Sequence, residues 1–166
     1  MIDYESQIKG MSKMVMEALK ERGAKMATAE SLTGGMLASS IITHPGSSEV
    51  IDGGIVAYQD RVKRDILKVP RNILEDPKLG AVSLQCVTFM CHGLLDLYPE
   101  ITFAVATSGY AGPTGAEVGK VYIAVMERGK PEDFSVKLFN FAGDRDMVRK
   151  QATLFALIRL YEKIIR

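Results

Sequence analysis

The sequence predicts an α/β domain built as a three-layer α/β/α sandwich around a mixed sheet, and three observations predict it. Apolar residues switch repeatedly between helical and strand spacing, so helices alternate with strands along the chain. Two strands follow one another late in the chain with only a turn between them, which makes part of the sheet antiparallel. The 166 residues, 47% hydrophobic and 25% charged, have the length and balance of a single domain, residues 1–166, with its own core.

The elements follow in order. Ile8, Met11, Met14, Val15, Ala18 and Leu19 share one face of a helix, and Gly23 stands where a left-handed C-terminal glycine belongs. Lys25–Ala29 is short and apolar, the pattern of a buried strand. Glu30, Ser31, Leu32, Thr33, Gly34 and Gly35 form a polar turn before a helical segment of small residues, Met36–Thr43. His44–Ser48 is a turn at the surface. Ile55–Tyr58 is strand-like, and Asp60–Leu67 is helical with Val62, Ile66 and Leu67 on one face. Pro70 and Pro77 bracket a stretch of one or two turns at most. Val82–Leu97 fits a helix closed by Tyr98 and Pro99.

Ile101–Thr107 is a strand that runs into a second glycine-rich loop, Ser108–Gly115. Val121–Met126 and the alternating Phe134–Leu138 are strands on either side of Gly129, Lys130 and Pro131, hence a hairpin. Gly143, Asp144, Arg145 and Asp146 open a last helix that runs nearly to Arg166, with acidic residues where the helix dipole favours them. Two polar glycine-rich loops thus follow the C-terminal ends of two strands. In open α/β sheets that edge binds ligands, so the site is expected there.

Composition excludes several functions. Lys and Arg number 21 against 20 Asp and Glu, a net charge of +1, which is no footprint for nucleic acid or an anionic membrane. No apolar run reaches the ~20 residues of a membrane span, and the polar residues Met1–Gly10 do not read as a secretory leader. Cys86 and Cys91 are expected to be buried small hydrophobes in a reducing cytoplasm. Two isolated histidines and no cluster of ligand residues predict no metal site, and no cofactor is expected.

Ser31 or Thr33 can cap a helix, and Gly34 and Gly35 let a ligand or another backbone come close. The same arrangement offers amides and a positive dipole end to an anion. A serine nucleophile needs a base. His44, in its turn, and His92, within a helix, are poorly placed, whereas Lys63 after Tyr58 could serve if an apolar site lowers its pKa. Thr107, Ser108, Gly109, Ala111 and Gly112 belong to a loop whose amides can face an oxyanion or phosphate. Arg145 has the planar fork that suits a phosphate, or else pairs with Asp144 or Asp146.

At these residues the sequence resembles the CinA C-terminal domain family, which includes stand-alone nicotinamide mononucleotide deamidases. The matching stretches are Ala29–Gly35, Pro45–Ser48, Gly54–Tyr58 with Lys63, Gly80–Ser83, Ser108–Pro113, and Gly143–Asp146 with Gln151 and Ala152. The resemblance implies hydrolysis of the carboxamide of nicotinamide mononucleotide to the acid mononucleotide and ammonia. Ser31 would be the nucleophile, Lys63 and Tyr58 its proton-transfer partners, and Arg145 the phosphate ligand. Glu30 and Thr33 would flank the substrate. Either the Gly34 and Gly35 amides or the Thr107–Gly112 loop would hold the oxyanion. A small-molecule nucleotide is the implied partner, with a homo-oligomer expected from the resemblance and from apolar residues such as Met11, Met14 and Met16.

Three positions depart from the family pattern. Tyr110 replaces an isoleucine, Leu32 replaces a cysteine, and only Ala116–Lys120 follow Gly115 where the family has a longer loop with a Lys-Pro-Val-Gly-Thr motif. These departures leave open an amidase for a different amide, or a nucleotide-binding module that does no chemistry.

Overall fold

The computed structural model describes residues 1–166 and contains six helices and five strands. In chain order they are α1 (Tyr4–Arg22), β1 (Met26–Glu30), α2 (Met36–Ile42), β2 (Ile51–Val56), α3 (Asp60–Asp65), α4 (Arg71–Leu74), α5 (Leu84–Leu97), β3 (Phe103–Gly109), β4 (Lys120–Glu127), β5 (Ser135–Asn140) and α6 (Arg145–Ile164). The sheet has the order β2-β1-β3-β4-β5. β1 lies between two parallel neighbours, while β4 runs antiparallel to both β3 and β5. The sheet is mixed, and the late hairpin is present as the sequence implies.

Two crossovers run in opposite directions across the sheet, one from β1 through α2 to β2 and one from β2 through α5 to β3. If each keeps the right-handed sense, their helices must cover opposite faces. They do: α1, α2 and α6 enclose one core with Met26, Phe103, Val105, Val121, Ile123 and Val125. On the other face α5 packs on Ala27, Ala29, Ala104, Ala106 and Ala124. That alanine floor lets α5 approach closely, and Cys91 Sγ reaches the carbonyls of Ala104 and Ala124 at 3.7 Å each. Both cysteines are buried and free, and burial pushes the Cys86 thiol up to about 12.

Several sequence expectations shift. β1 lies one residue later than Lys25–Ala29 and ends on Glu30. β2 spans Ile51–Val56 rather than Ile55–Tyr58, with Gly53 and Gly54 inside it. Those glycines are needed there: a Cβ on Gly53 would come within 2.7 Å of the Tyr98 hydroxyl, and one on Gly54 would strike the Thr28 side chain. Ser108 and Gly109 belong to β3, paired with Tyr122 and Val121, so the second loop begins at Tyr110. His44 is buried rather than in an exposed turn, its Nε2 2.8 Å from Ser12 Oγ.

The C-terminal ends of β1, β2 and β3 lie side by side. Because β1 continues over one face and β2 over the other, their chains part there, which is the topological switch point at which α/β sheets bind ligands.

Candidate active site

Each strand end delivers part of the candidate site. β1 ends on Glu30 and hands over to Ser31, whose amide donates to Thr107 O at 3.1 Å and so continues the β1–β3 ladder by one residue. The chain then turns: Gly34 N donates back to Ser31 O at 3.1 Å, and Met36 N to Thr33 O at 2.9 Å. Gly34 and Gly35 both adopt left-handed backbone, with φ of 58° and 96°, conformations that favour glycine.

Glu30 is the reason α2 can start where it does. Gly35, at the head of that helix, offers no side-chain cap. The Glu30 carboxylate supplies one instead: Oε1 accepts from Leu37 N at 2.8 Å, and Oε2 from Ala38 N at 3.1 Å and from Thr28 Oγ1 at 3.0 Å. A carboxylate at the positive end of a helix is stabilised by the dipole as well as by the amides. Glu30 is only 1% exposed, and its carboxylate oxygens are engaged within the chain rather than turned toward a ligand. It positions the serine turn.

Lys63 comes from α3 and is buried, at 1% exposure. Its Nζ lies 3.2 Å from Ser31 Oγ and donates to Tyr58 O at 3.0 Å. The nearest carboxylate, Asp60, is mostly exposed and 4.0 Å away. Burial therefore wins, and it holds the Lys63 ammonium below its ordinary value of 10.5, with Cys86 and Asp60 opposing more weakly. A lysine at a strand-to-helix junction is usually solvated. This one is brought to a serine.

Tyr58 meets the lysine through its backbone, not its phenol. The phenol is 54% exposed at the rim, where its oxygen accepts from Arg145 Nη2 at 3.1 Å. Arg145 also donates to Gly112 O at 2.6 Å through Nη1, so it bridges the second loop to the β2–α3 junction. It makes neither of the ion pairs with Asp144 or Asp146 open from sequence; Asp146 pairs with Lys150 at 2.9 Å.

Thr33 and Thr107 are fully buried and joined hydroxyl to hydroxyl at 2.8 Å, tying the serine turn to β3. Ser108 Oγ donates to Ala81 O at 2.7 Å, and Ala111 packs into the core formed with α1 and α6. Of the residues expected from sequence, the structure thus gathers Ser31, Lys63, the Tyr58 carbonyl, Thr33 and Thr107 closely, with Arg145 and Gly112 at the rim. Thr33, Thr107 and Ser108 spend their hydroxyls on the protein.

A model described as the CinA C-terminal domain matches residues 8–164. The chain belongs to that family. A CinA-like protein of Thermotoga neapolitana is 42% identical over 154 residues, 90% of this chain but 36% of the relative. This CinA domain therefore spans about a third of the length of the curated relatives it matches. Solved structures match over nearly their whole length. Competence damage-inducible protein A (ComA) of Klebsiella pneumoniae is 36% identical with a TM-score of 0.89, over 96% of this chain and 98% of that one. The competence/damage inducible protein CihA of Agrobacterium tumefaciens is 32% identical with a TM-score of 0.90, over 96% of each. The chain therefore has the α/β fold with a mixed sheet seen in those structures. No helix is long and apolar enough to cross a membrane.

Two features of this CinA domain escaped the sequence reading. The free amides of the serine turn are those of Leu32, Thr33 and Gly35, which donate to nothing in the chain, whereas the Gly34 amide closes the turn. Arg149, one helical turn beyond Arg145, donates from Nε to Leu32 O at 2.7 Å and from Nη2 to Thr33 O at 3.4 Å. The i, i+4 spacing of Arg145 and Arg149 on one helix face was the available signal.

Proposed function

We propose that this domain is a serine–lysine amidohydrolase that removes ammonia from the carboxamide of nicotinamide mononucleotide. The observation that carries the reading is the buried Lys63 amine 3.2 Å from the Ser31 hydroxyl, with burial favouring the neutral, proton-accepting form.

Neutral Lys63 takes the Ser31 proton as Oγ forms a bond to the amide carbon. The oxyanion that develops faces the Leu32 and Thr33 amides, donors already fixed by the turn and needing no reorganisation. Lys63 returns its proton to the amide nitrogen, the C–N bond breaks, and ammonia leaves an ester on Ser31. Lys63 then deprotonates water, which attacks that ester. The acid mononucleotide departs, and Lys63 restores the proton to Ser31 Oγ. Throughout, the Tyr58 carbonyl keeps the lysine amine aimed at the serine. The exposed guanidinium of Arg145 at the mouth suits the dianionic 5′-phosphate.

The test is ammonia release from nicotinamide mononucleotide by the purified domain with EDTA present, alongside Ser31→Ala and Lys63→Met. Turnover is expected in EDTA, background rates in Ser31→Ala, and a loss of about 10²–10⁴-fold in Lys63→Met, the usual worth of a general base. Full turnover by Ser31→Ala overturns the nucleophile assignment. No turnover by folded wild-type protein overturns the substrate.

A further inference from the structure

We infer that Arg149 is a positioning residue that aims the oxyanion donor of the serine turn; the inference rests on the serine–lysine reading of the site. Arg149 is half-buried on α6 and gives its fork not to a carboxylate but to two successive carbonyls, Leu32 O at 2.7 Å and Thr33 O at 3.4 Å. In a trans peptide the carbonyl and the following N–H point in opposite directions. Holding Leu32 O toward α6 therefore turns the Thr33 N–H away from α6, and that N–H has no acceptor in the chain. Thr33 itself is fully buried, and a buried, unpaired backbone donor is rare in folded proteins. The turn could relieve it by rotating the Leu32–Thr33 peptide plane. The guanidinium opposes that rotation, since it would break a charge-assisted hydrogen bond. Gly34 leaves the room for this clamp: a Cβ there would come within 3.2 Å of Arg149 Nη2.

The experiment uses two readouts on wild type, Arg149→Met and Arg149→Ala. One is steady-state hydrolysis of nicotinamide mononucleotide. The other is the rate at which a small fluorophosphonate labels Ser31, followed by intact mass. In that step Ser31 Oγ bonds to phosphorus, fluoride leaves, Lys63 takes the proton, and the phosphonyl oxygen needs the same amide donor. Losing one oxyanion donor costs about 10²–10³-fold. Arg149→Met is expected to show that loss in both kcat and labelling rate, with KM within about threefold of wild type. Added guanidinium ion is expected to restore part of the labelling rate in Arg149→Ala, a recovery that a general loss of stability would not give. Arg149→Lys, which keeps charge and stem but not the fork, serves if the neutral variants do not fold, and it too is expected to label slowly.

Labelling and kcat within about threefold of wild type in a folded variant overturn the inference. A raised KM with kcat intact also overturns it, because the guanidinium would then touch substrate directly. Wild-type protein that labels at Ser31 but leaves nicotinamide mononucleotide untouched overturns the substrate alone, and the labelling rates still decide Arg149. Wild-type protein that neither labels nor turns over removes both readings together.

Discussion

Replacing Glu30 by Gln tests whether the residue before the serine holds α2 or holds a ligand. Its carboxylate receives two helix amides and the Thr28 hydroxyl. Gln keeps one carbonyl oxygen, so one amide retains its acceptor while the side-chain NH₂ faces a donor it cannot pair with. A hydrogen bond to a charged group contributes about 1.5–3 kcal/mol, and the charge at the helix start adds about 1 kcal/mol. The expected loss is about 2–3 kcal/mol, or a melting temperature about 4–12 °C lower for a chain of this size. Glu30→Ala removes both acceptors and leaves two amides unpaired, at about 1–3 kcal/mol each. The assay is thermal unfolding followed by circular dichroism at pH 7, with guanidinium titration of the same variants. Losses in that order, wild type then Gln then Ala, support the cap. A Glu30→Gln protein that melts within about 1 °C of wild type yet binds substrate poorly would refute it, and would return the carboxylate to the ligand.

The remaining predictions concern the buried lysine and the packing of α5. Burial lowers the Lys63 pKa below 10.5, so between the lowered value and 10.5 the unfolded chain binds more protons and wild-type stability rises with pH. That contribution is complete above 10.5 and is lost as pH falls through the folded value. Urea titrations of Lys63→Met from pH 7 to 11 are expected to lack this rise, and a wild-type curve that also lacks it would contradict a depressed lysine. Gly93→Ala tests the packing of α5 on the segment after α3, since a Cβ there would come within 2.7 Å of Leu67 Cα and closer still to its carbonyl. Backbone cannot swing aside, so overpacking at about 1–3 kcal/mol is expected to outweigh the ~1 kcal/mol helix preference of Ala over Gly. A variant stabler than wild type in urea would show that the contact is looser than it stands.

Much of this molecule was legible in its residue pattern. The helical face of Ile8, Val15 and Leu19, the glycine after Arg22 and the hairpin around Gly129 all describe themselves locally, because spacing and backbone freedom act over a few residues. Ser31, Tyr58, Lys63 and Arg145 were legible as a set only through resemblance; each is an ordinary surface residue when taken singly. What was misjudged follows one rule. Gly53 and Gly54 fall outside the expected Ile55–Tyr58 strand and Gly109 within the expected second loop, yet all three stand in strands, because a partner across the sheet or a ring above it leaves no room for a side chain. Glu30 read as a ligand residue because the amides that donate to it, Leu37 N and Ala38 N, lie in the helix that folds back over it.

The sequence alone determined the layered α/β architecture and the near-neutral charge balance, and it pointed to strand ends rich in hydroxyls and glycine. Those properties are sums over local choices. Tertiary structure decided which groups meet. It buried Lys63 against Ser31, spent the Thr33, Thr107 and Ser108 hydroxyls within the protein, left the Leu32 and Thr33 amides free, and laid Arg149 across their carbonyls from more than a hundred residues away. The physical reason is that a proton affinity and a donor's direction depend on what surrounds a group in space, and α3, β3 and α6 become neighbours of the serine only when the sheet is assembled.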